Sequence, residues 1–253
     1  MAGIVVTAAC TDSPKDIGTP VPSPSPDPAV LRDDLHTGLT IEDRGFATFP
    51  VRGGDGTRRI VGAAAVFRNN TDEPMRIHIR YRFVDVAGRG WWLAERNDWA
   101  AVVSVGLATV PPGQAVEFGD AQQFDVDQAE RVAGIVLYVI EGTVRPEPSV
   151  LLPARITALK PAATPKDEWD YVSFEVENPG NTLREPDYGM VYRSAGGRLI
   201  GGWFGSHALW SDIAKALPAG ENERYPQGRS RHTMPAWLPP GIEAGRVSMH
   251  VWR

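Results

Sequence analysis

The residues with the most evident chemical potential are Arg76, His78, Arg80 and Arg82. They alternate with Ile77, Ile79, Tyr81 and Phe83 in the stretch MRIHIRYRFV. Period-two alternation predicts a strand with an apolar face and a basic face. Side chains on one face of a strand repeat at roughly 6.5–7 Å, about the spacing of neighbouring anionic groups on a polymer or lipid surface. Guanidinium forks suit phosphate and carboxylate. The strip is therefore a candidate docking site for anionic headgroups, a glycan or a protein partner. The plainer alternative is a solvated outer face, paired across strands with acids such as Glu117 or Asp98. A second candidate set is aromatic: Trp91, Trp92 and Trp99, then Trp203, Phe204, Trp210 and Trp237. Such residues line grooves for sugar rings or a partner's apolar side chains. Otherwise they plug the ends of a β-sandwich or pack between domains.

No catalytic signature accompanies these sets. His36, His78, His207, His232 and His250 are scattered, with no His-x-x-x-His pair, so no metal is expected. Asp120, Asp125 and Asp127 lack the Gly and Glu of a calcium loop. Ser206 and His207 are adjacent, but no Gly-x-Ser-x-Gly elbow holds the serine. No Gly-rich phosphate loop precedes a lysine. The expectation is a non-enzymatic protein without cofactor. A net charge of −5 gives no general reason to expect nucleic-acid binding.

The single cysteine, Cys10, excludes an intrachain disulfide framework and a thiolate metal cluster within one chain. It follows Ile4-Val5-Val6-Thr7-Ala8-Ala9, a short apolar run ending in small residues. This resembles the end of a bacterial lipoprotein signal peptide, which implies lipid attachment at Cys10. An ordinary free cysteine is the alternative. Residues 11–28 carry Pro14, Pro20, Pro22, Pro24, Pro26 and Pro28. That composition favours extended polyproline II and would reach roughly 50–60 Å at about 3.1 Å per residue, as a stalk. No run of 18 apolar residues is present to span a membrane as a helix.

The elements that must position these residues read as strands. Gly38–Pro50 and Arg59–Asn69 come first, the latter with Ala63, Ala65 and Phe67 on one face. Met75–Val84 follows, then a turn at Asp85–Gly88 and a strand towards Trp92. Residues 99–110, a strand from Ala115, and the apolar Gly134–Glu141 complete a first unit. The polar stretch Asp120–Arg131 is expected to hold a single helical turn. The second unit has strands at Val150–Leu159, Tyr171–Asn178, Tyr188–Tyr192 and Gly245–Trp252, with a short helix at Ser211–Leu217.

The two units register. Asn69 matches Asn178, Phe83 matches Tyr192, and Gly88-Arg89 matches Gly197-Arg198, all 109 residues apart. Pro111-x-Gly113 aligns with Pro218-x-Gly220, and Ala133-Gly134-x-Val136 with Ala244-Gly245-x-Val247. The pattern predicts an all-β chain of two tandem immunoglobulin-like sandwiches arising by duplication. Its segments are a lipobox-like 1–10, a Pro/Ser-rich linker at 11–36, and sandwiches at 37–148 and 149–253. The apolar positions Ile79, Tyr81 and Phe83 recur as Tyr188, Met190 and Tyr192. The basic face does not recur: Gly189, Val191 and Arg193 stand where Arg80, Arg82 and Val84 are.

Val61-Gly62 through Asn69-Asn70-Thr71, then Ile79–Asp85 with Gly88, then Trp99 and Pro112-Gly113, resemble the YcfL-like family of small bacterial lipoproteins. They are similar in turn to FxLYD-type envelope domains. The resemblance covers about 61–140 and, more weakly, the second unit. It implies a lipoprotein of the bacterial envelope, membrane-held through its anchor and facing the periplasm or exterior. It supplies no catalytic residue. The expected partner is another envelope protein, with a glycan or peptidoglycan as the alternative ligand.

Overall fold

The computed structural model describes residues 38–52, 54–90, 103–144, 151–162, 169–184, 186–205 and 224–252. These residues are almost entirely antiparallel strand. The first half holds β1 (Leu39–Pro50), β2 (Arg58–Asn69), β3 (Met75–Val84), β4 (Val103–Val110), β5 (Ala115–Asp125) and β6 (Gly134–Val144). A one-turn helix, α1 (Val126–Ala129), links β5 to β6. The strands form two sheets, ordered β1-β2-β5 and β4-β3-β6. The chain crosses between sheets from β2 to β3, from β4 to β5 and from β5 to β6, as expected of an immunoglobulin-like sandwich.

Alternation builds the first core. Val61, Ala63, Ala65 and Phe67 of β2 are buried with Ile77, Ile79, Tyr81 and Phe83 of β3. The rings of Tyr81 and Phe118 meet edge to face at 5.3 Å, and those of Phe83 and Phe124 at 5.4 Å. One polar pair lies inside. The Tyr81 hydroxyl donates to Asp120 Oδ2 at 2.7 Å. Burial pushes the Asp120 carboxyl up to about 6, against the lowering effect of that hydrogen bond. Residues Asp120–Asp125 are extended in β5 rather than helical; the helical turn begins only at Val126. The backbone of Asp120–Asp125 pairs with β2, and that ladder overrides the local polar pattern.

The second half holds β7 (Leu151–Lys160), β8 (Asp170–Asn178), β9 (Leu183–Arg184), β10 (Asp187–Arg193), β11 (Leu199–Gly205), β12 (Arg224–Tyr225), β13 (Gly228–Ala236) and β14 (Val247–Trp252). The orders β7-β8-β13 and β11-β10-β14 repeat those of the first half. Here β14 also pairs with β7, which joins both sets into one six-stranded sheet. β9 and β12 form a separate short ribbon.

Local chemistry repeats with the topology. Asn69 is fully buried, donating through Nδ2 to Glu73 O and Val110 O, while its Oδ1 accepts from Thr71 N. Asn178 is equally buried, donating to Asn181 O and Tyr225 O and accepting from Gly180 N. Tyr225 thus stands where Val110 does. The counterpart of Pro111-Pro112-Gly113 is therefore Pro226-Gln227-Gly228, not Pro218-x-Gly220. Gly113 and Gly228 both adopt positive φ, 68° and 89°. The last strand registers one residue beyond the sequence alignment: Ile135 faces Phe83 as Val247 faces Tyr192.

The middle sheet, β1-β2-β5, is covered on both faces. The residues of β2 that turn from the first core meet the second half: Ala64 and Val66 pack with Val191 and Leu199, and Ile60 joins the second core. Backbones touch here. A Cβ on Gly62 would come within 2.9 Å of Gly201 Cα. A Cβ on Gly119 would overlap Met190 O and lie 2.7 Å from Gly202 Cα. From β14, Trp252 joins the first core's cluster.

Candidate functional site

The stacking of the two halves leaves a cleft of about 830 Å³ along β1. Its floor is the run Asp43–Pro50. One wall is Ala133-Gly134-Ile135 at the start of β6. The other comprises the β10–β11 turn, from Arg193 to Ile200, with Pro239–Ile242 and Arg246.

The turn-built wall and the floor have local causes. The β10–β11 turn is tied by Ser194 N to Arg198 O at 2.8 Å, Gly197 N to Ser194 O at 2.9 Å and Arg198 N to Ser194 Oγ at 3.2 Å. Pro240-Gly241 forms a turn with Gly241 at φ 70° and Ile242 N donating to Pro239 O, the pattern of a type II turn. A Cβ on Gly45 would overlap Leu199 O, so glycine there lets β1 lie against β11.

Arg193 knits the cleft to the interface. It donates to Asp43 Oδ2 at 3.4 Å, to Glu117 Oε1 at 3.2 Å and to Gly197 O at 3.2 Å. Glu117 Oε2 lies 3.8 Å from His250 Nδ1. Burial holds the His250 imidazole below its usual range, opposed by the Glu117 charge. Arg246 pairs with Glu243 at 3.3 Å.

The basic strip lies elsewhere. Arg76 is exposed, and His78, Arg80 and Arg82 are half-buried on the outer face of β4-β3-β6. β3 is that sheet's central strand. Glu117 does not pair with the strip; β5 turns it towards Arg193 and His250. Asp98 lies outside the described residues. In the second half the matching outer face of β10 is the interface itself. Val191 packs on Ala64, and Arg193 reaches Asp43 and Glu117.

Of the aromatic set, Trp203 is buried. It meets Trp237 at 5.0 Å and Trp169 at 5.5 Å, and Trp169 stacks on Trp237 at 5.2 Å. The three rings pack on one another at the end of the second core. Phe204 is half-buried beside Trp252. Trp91, Trp92, Trp99, Trp210, Cys10 and the Ser206-His207 pair lie outside the described residues, as do the tract at 11–28 and the helix expected at Ser211–Leu217. Among the described residues, no group of His, Cys, Asp and Glu is arranged to hold a metal. Ser230 Oγ does lie 2.7 Å from His232 Nε2. That histidine is buried and stacked on Tyr225 at 3.8 Å, at a core position of β13.

Sequence reasoning missed the cleft and its arginines. The available signal was the set of glycines at 45, 62, 119, 201 and 202, which marks strands that approach closely.

No protein-family model matches the chain, and no curated protein matches it. Among solved structures, it is similar to a red sea bream transglutaminase, at 10% identity over 81% of this chain, with a TM-score of 0.21. The chain spans about 28% of that enzyme's length, and a likeness of this degree carries nothing about activity.

Proposed function

We propose that this protein is a non-enzymatic interaction module of the bacterial envelope, lipid-anchored through Cys10, whose two sandwiches arose by duplication. The observation that carries the reading is the arginine-lined cleft between halves in close backbone contact. A cleft of this volume, floored by strand and walled by tight turns, is a preformed surface that costs little ordering on binding. The repeated asparagine and turn hydrogen bonds support the duplication. The sequence before Cys10 and the proline-rich tract after it support the anchor and stalk.

Crosslinking in cells tests the binding role. A photo-crosslinker at position 195, on the exposed turn that lines the cleft, is expected to capture a stoichiometric envelope protein. The same group at position 229, on exposed Arg229 of β13, is expected to capture none. Equal capture from both positions, or none from either, defeats the reading. Recovery of glycan alone favours the sugar-binding alternative. Mass spectrometry of the native N-terminal peptide tests the anchor, and an unmodified Cys10 removes it.

A further inference from the structure

The floor of the cleft sets what kind of ligand it takes. β1 pairs with β2 on one side and with no described strand on the other. In an antiparallel pair, every second residue turns its N–H and C=O away from its partner. The run Asp43–Pro50 therefore presents a ladder of donors and acceptors to the cleft. Asp43–Thr48 are all half-buried rather than alternating. Both faces of the sheet are covered, yet these residues stay half-buried beside the unpaired edge, Asp43 through its side chain. Eight residues of strand span roughly 26 Å. That is a trough for an extended chain, not a hollow for a small molecule.

Charge narrows the class. Among the described residues, Arg44, Arg193, Arg198 and Arg246 line the cleft with one carboxylate, Asp43. Glu117 and Glu243 lie behind, on Arg193 and Arg246. Arg198 is exposed at the turn and has no ion pair among the described residues. Pro239 and Pro240 lack N–H groups, so that wall does not compete for strand carbonyls.

We propose that the cleft takes an extended acidic segment of a partner protein, which adds as a strand to β1 and sets carboxylates against Arg44 and Arg198. The proposal rests on the binding role above and adds its recognition mode. Main-chain hydrogen bonds supply affinity in such strand addition, and side chains supply selectivity. Recessing β1 between walls also admits a single strand while keeping out the flat edge of another sheet.

The test uses the full chain and a labelled synthetic ten-residue peptide of alternating valine and glutamate. One control replaces glutamate with lysine; a second is N-methylated on the backbone at alternate residues. Fluorescence anisotropy reads affinity, and amide hydrogen exchange reads β1. The glutamate peptide is expected to bind at least tenfold tighter than either control. It is also expected to slow exchange at alternate amides within 43–50 by tenfold or more. Arg44→Glu with Arg198→Glu is expected to reverse the charge preference. Arg198→Glu alone, at an exposed turn, is expected to weaken glutamate-peptide binding several-fold, which guards against misfolding of the double variant. Absence of binding, equal binding of both charges, or binding that leaves β1 exchange unchanged would overturn the proposal. So would self-association that protects these same amides, since it assigns the edge to a second copy. Capture of an envelope protein from position 195, together with any of those results, sinks the strand-addition mode and leaves the binding role standing. Peptide binding as expected, without any partner in cells, does the reverse.

Discussion

The two halves share a frame and differ in what they put against it. Asn69 and Asn178 make matching buried hydrogen bonds, and β3 and β10 occupy the same place in matching sheets. Yet the outer face of β3 carries arginines, whereas that of β10 carries Gly189, Val191 and Arg193. The difference follows from what covers each. β10 is pressed against the middle sheet, so it needs small or apolar residues and one arginine with two carboxylates to meet. β3 is the same face with no described strand upon it. Basic residues there keep a surface suited to stacking in water. The far face of β7-β8-β13 is charged too, with Glu175 between Arg155 and Arg231. The guanidinium hydrogen bonds, Arg155 first, hold the Glu175 carboxyl below its usual range. Charge thus marks the two outer faces, and glycine marks the shared one.

The most severe way to break this comparison is at the glycines. Gly202→Val forces side-chain bulk into Gly119 and the Met190 carbonyl. It is expected to cost on the order of 3 kcal/mol or more and to split calorimetric unfolding into two transitions. Gly196→Ala meets only Ser194 Oγ, at 3.9 Å, and serves as a near-neutral control. A single unshifted transition for Gly202→Val would mean the halves are not tightly stacked. Next come the asparagines. Asn69→Ala and Asn178→Ala each strand one buried backbone carbonyl and remove two further backbone hydrogen bonds, at about 2–3 kcal/mol. Urea denaturation should give similar losses, and a neutral result in either half would end the equivalence.

The third contrast is the buried polar pair. Tyr81 and Asp120 meet inside the first core, where matching register in the second half holds Met190 and Met234. Folded Asp120 keeps its proton up to about pH 6, whereas the unfolded chain releases it near 3.8. The folded state therefore binds more protons between those values, and this group's contribution to stability falls as pH rises through that window. The full effect is on the order of 3 kcal/mol. The difference between wild type and Asp120→Asn, followed from pH 4 to 7, isolates it; a flat difference would contradict the burial argument. The smallest effect is expected at the strip. Arg76→Ala with Arg80→Ala should change stability by less than about 0.5 kcal/mol, because neither has an ion pair among the described residues. A larger loss in thermal melts would show that the strip is held internally.

The strands that were legible from sequence are those buried on one face. β3 and β8 alternate cleanly, and the asparagine spacing alone sets the halves in register. β13 was not legible. Arg229, Arg231 and Pro235 interrupt its apolar set, and its pairing to β8 comes from 50 residues away or more. The Pro-x-Gly counterpart had two candidates, and only the hydrogen bond from Asn178 to Tyr225 O chooses between them. The glycines hint at strands that approach closely, but the lining of the cleft is not legible, because Asp43 and Arg193 meet across 150 residues of chain. No local period reports which face of β2 meets the core and which meets Gly201.

That shared face has a consequence for synthesis. The middle sheet is complete once β5 has emerged, but β11, which covers its bare side, ends 80 residues later at Gly205. At roughly 5–20 residues per second, Gly62, Ala64 and Gly119 wait about 4–16 s on a ribosome without their cover. Trp252, which completes the first cluster, emerges later still. The nascent first half therefore carries an open apolar sheet through translation, and its passage to the native state depends on the half that follows.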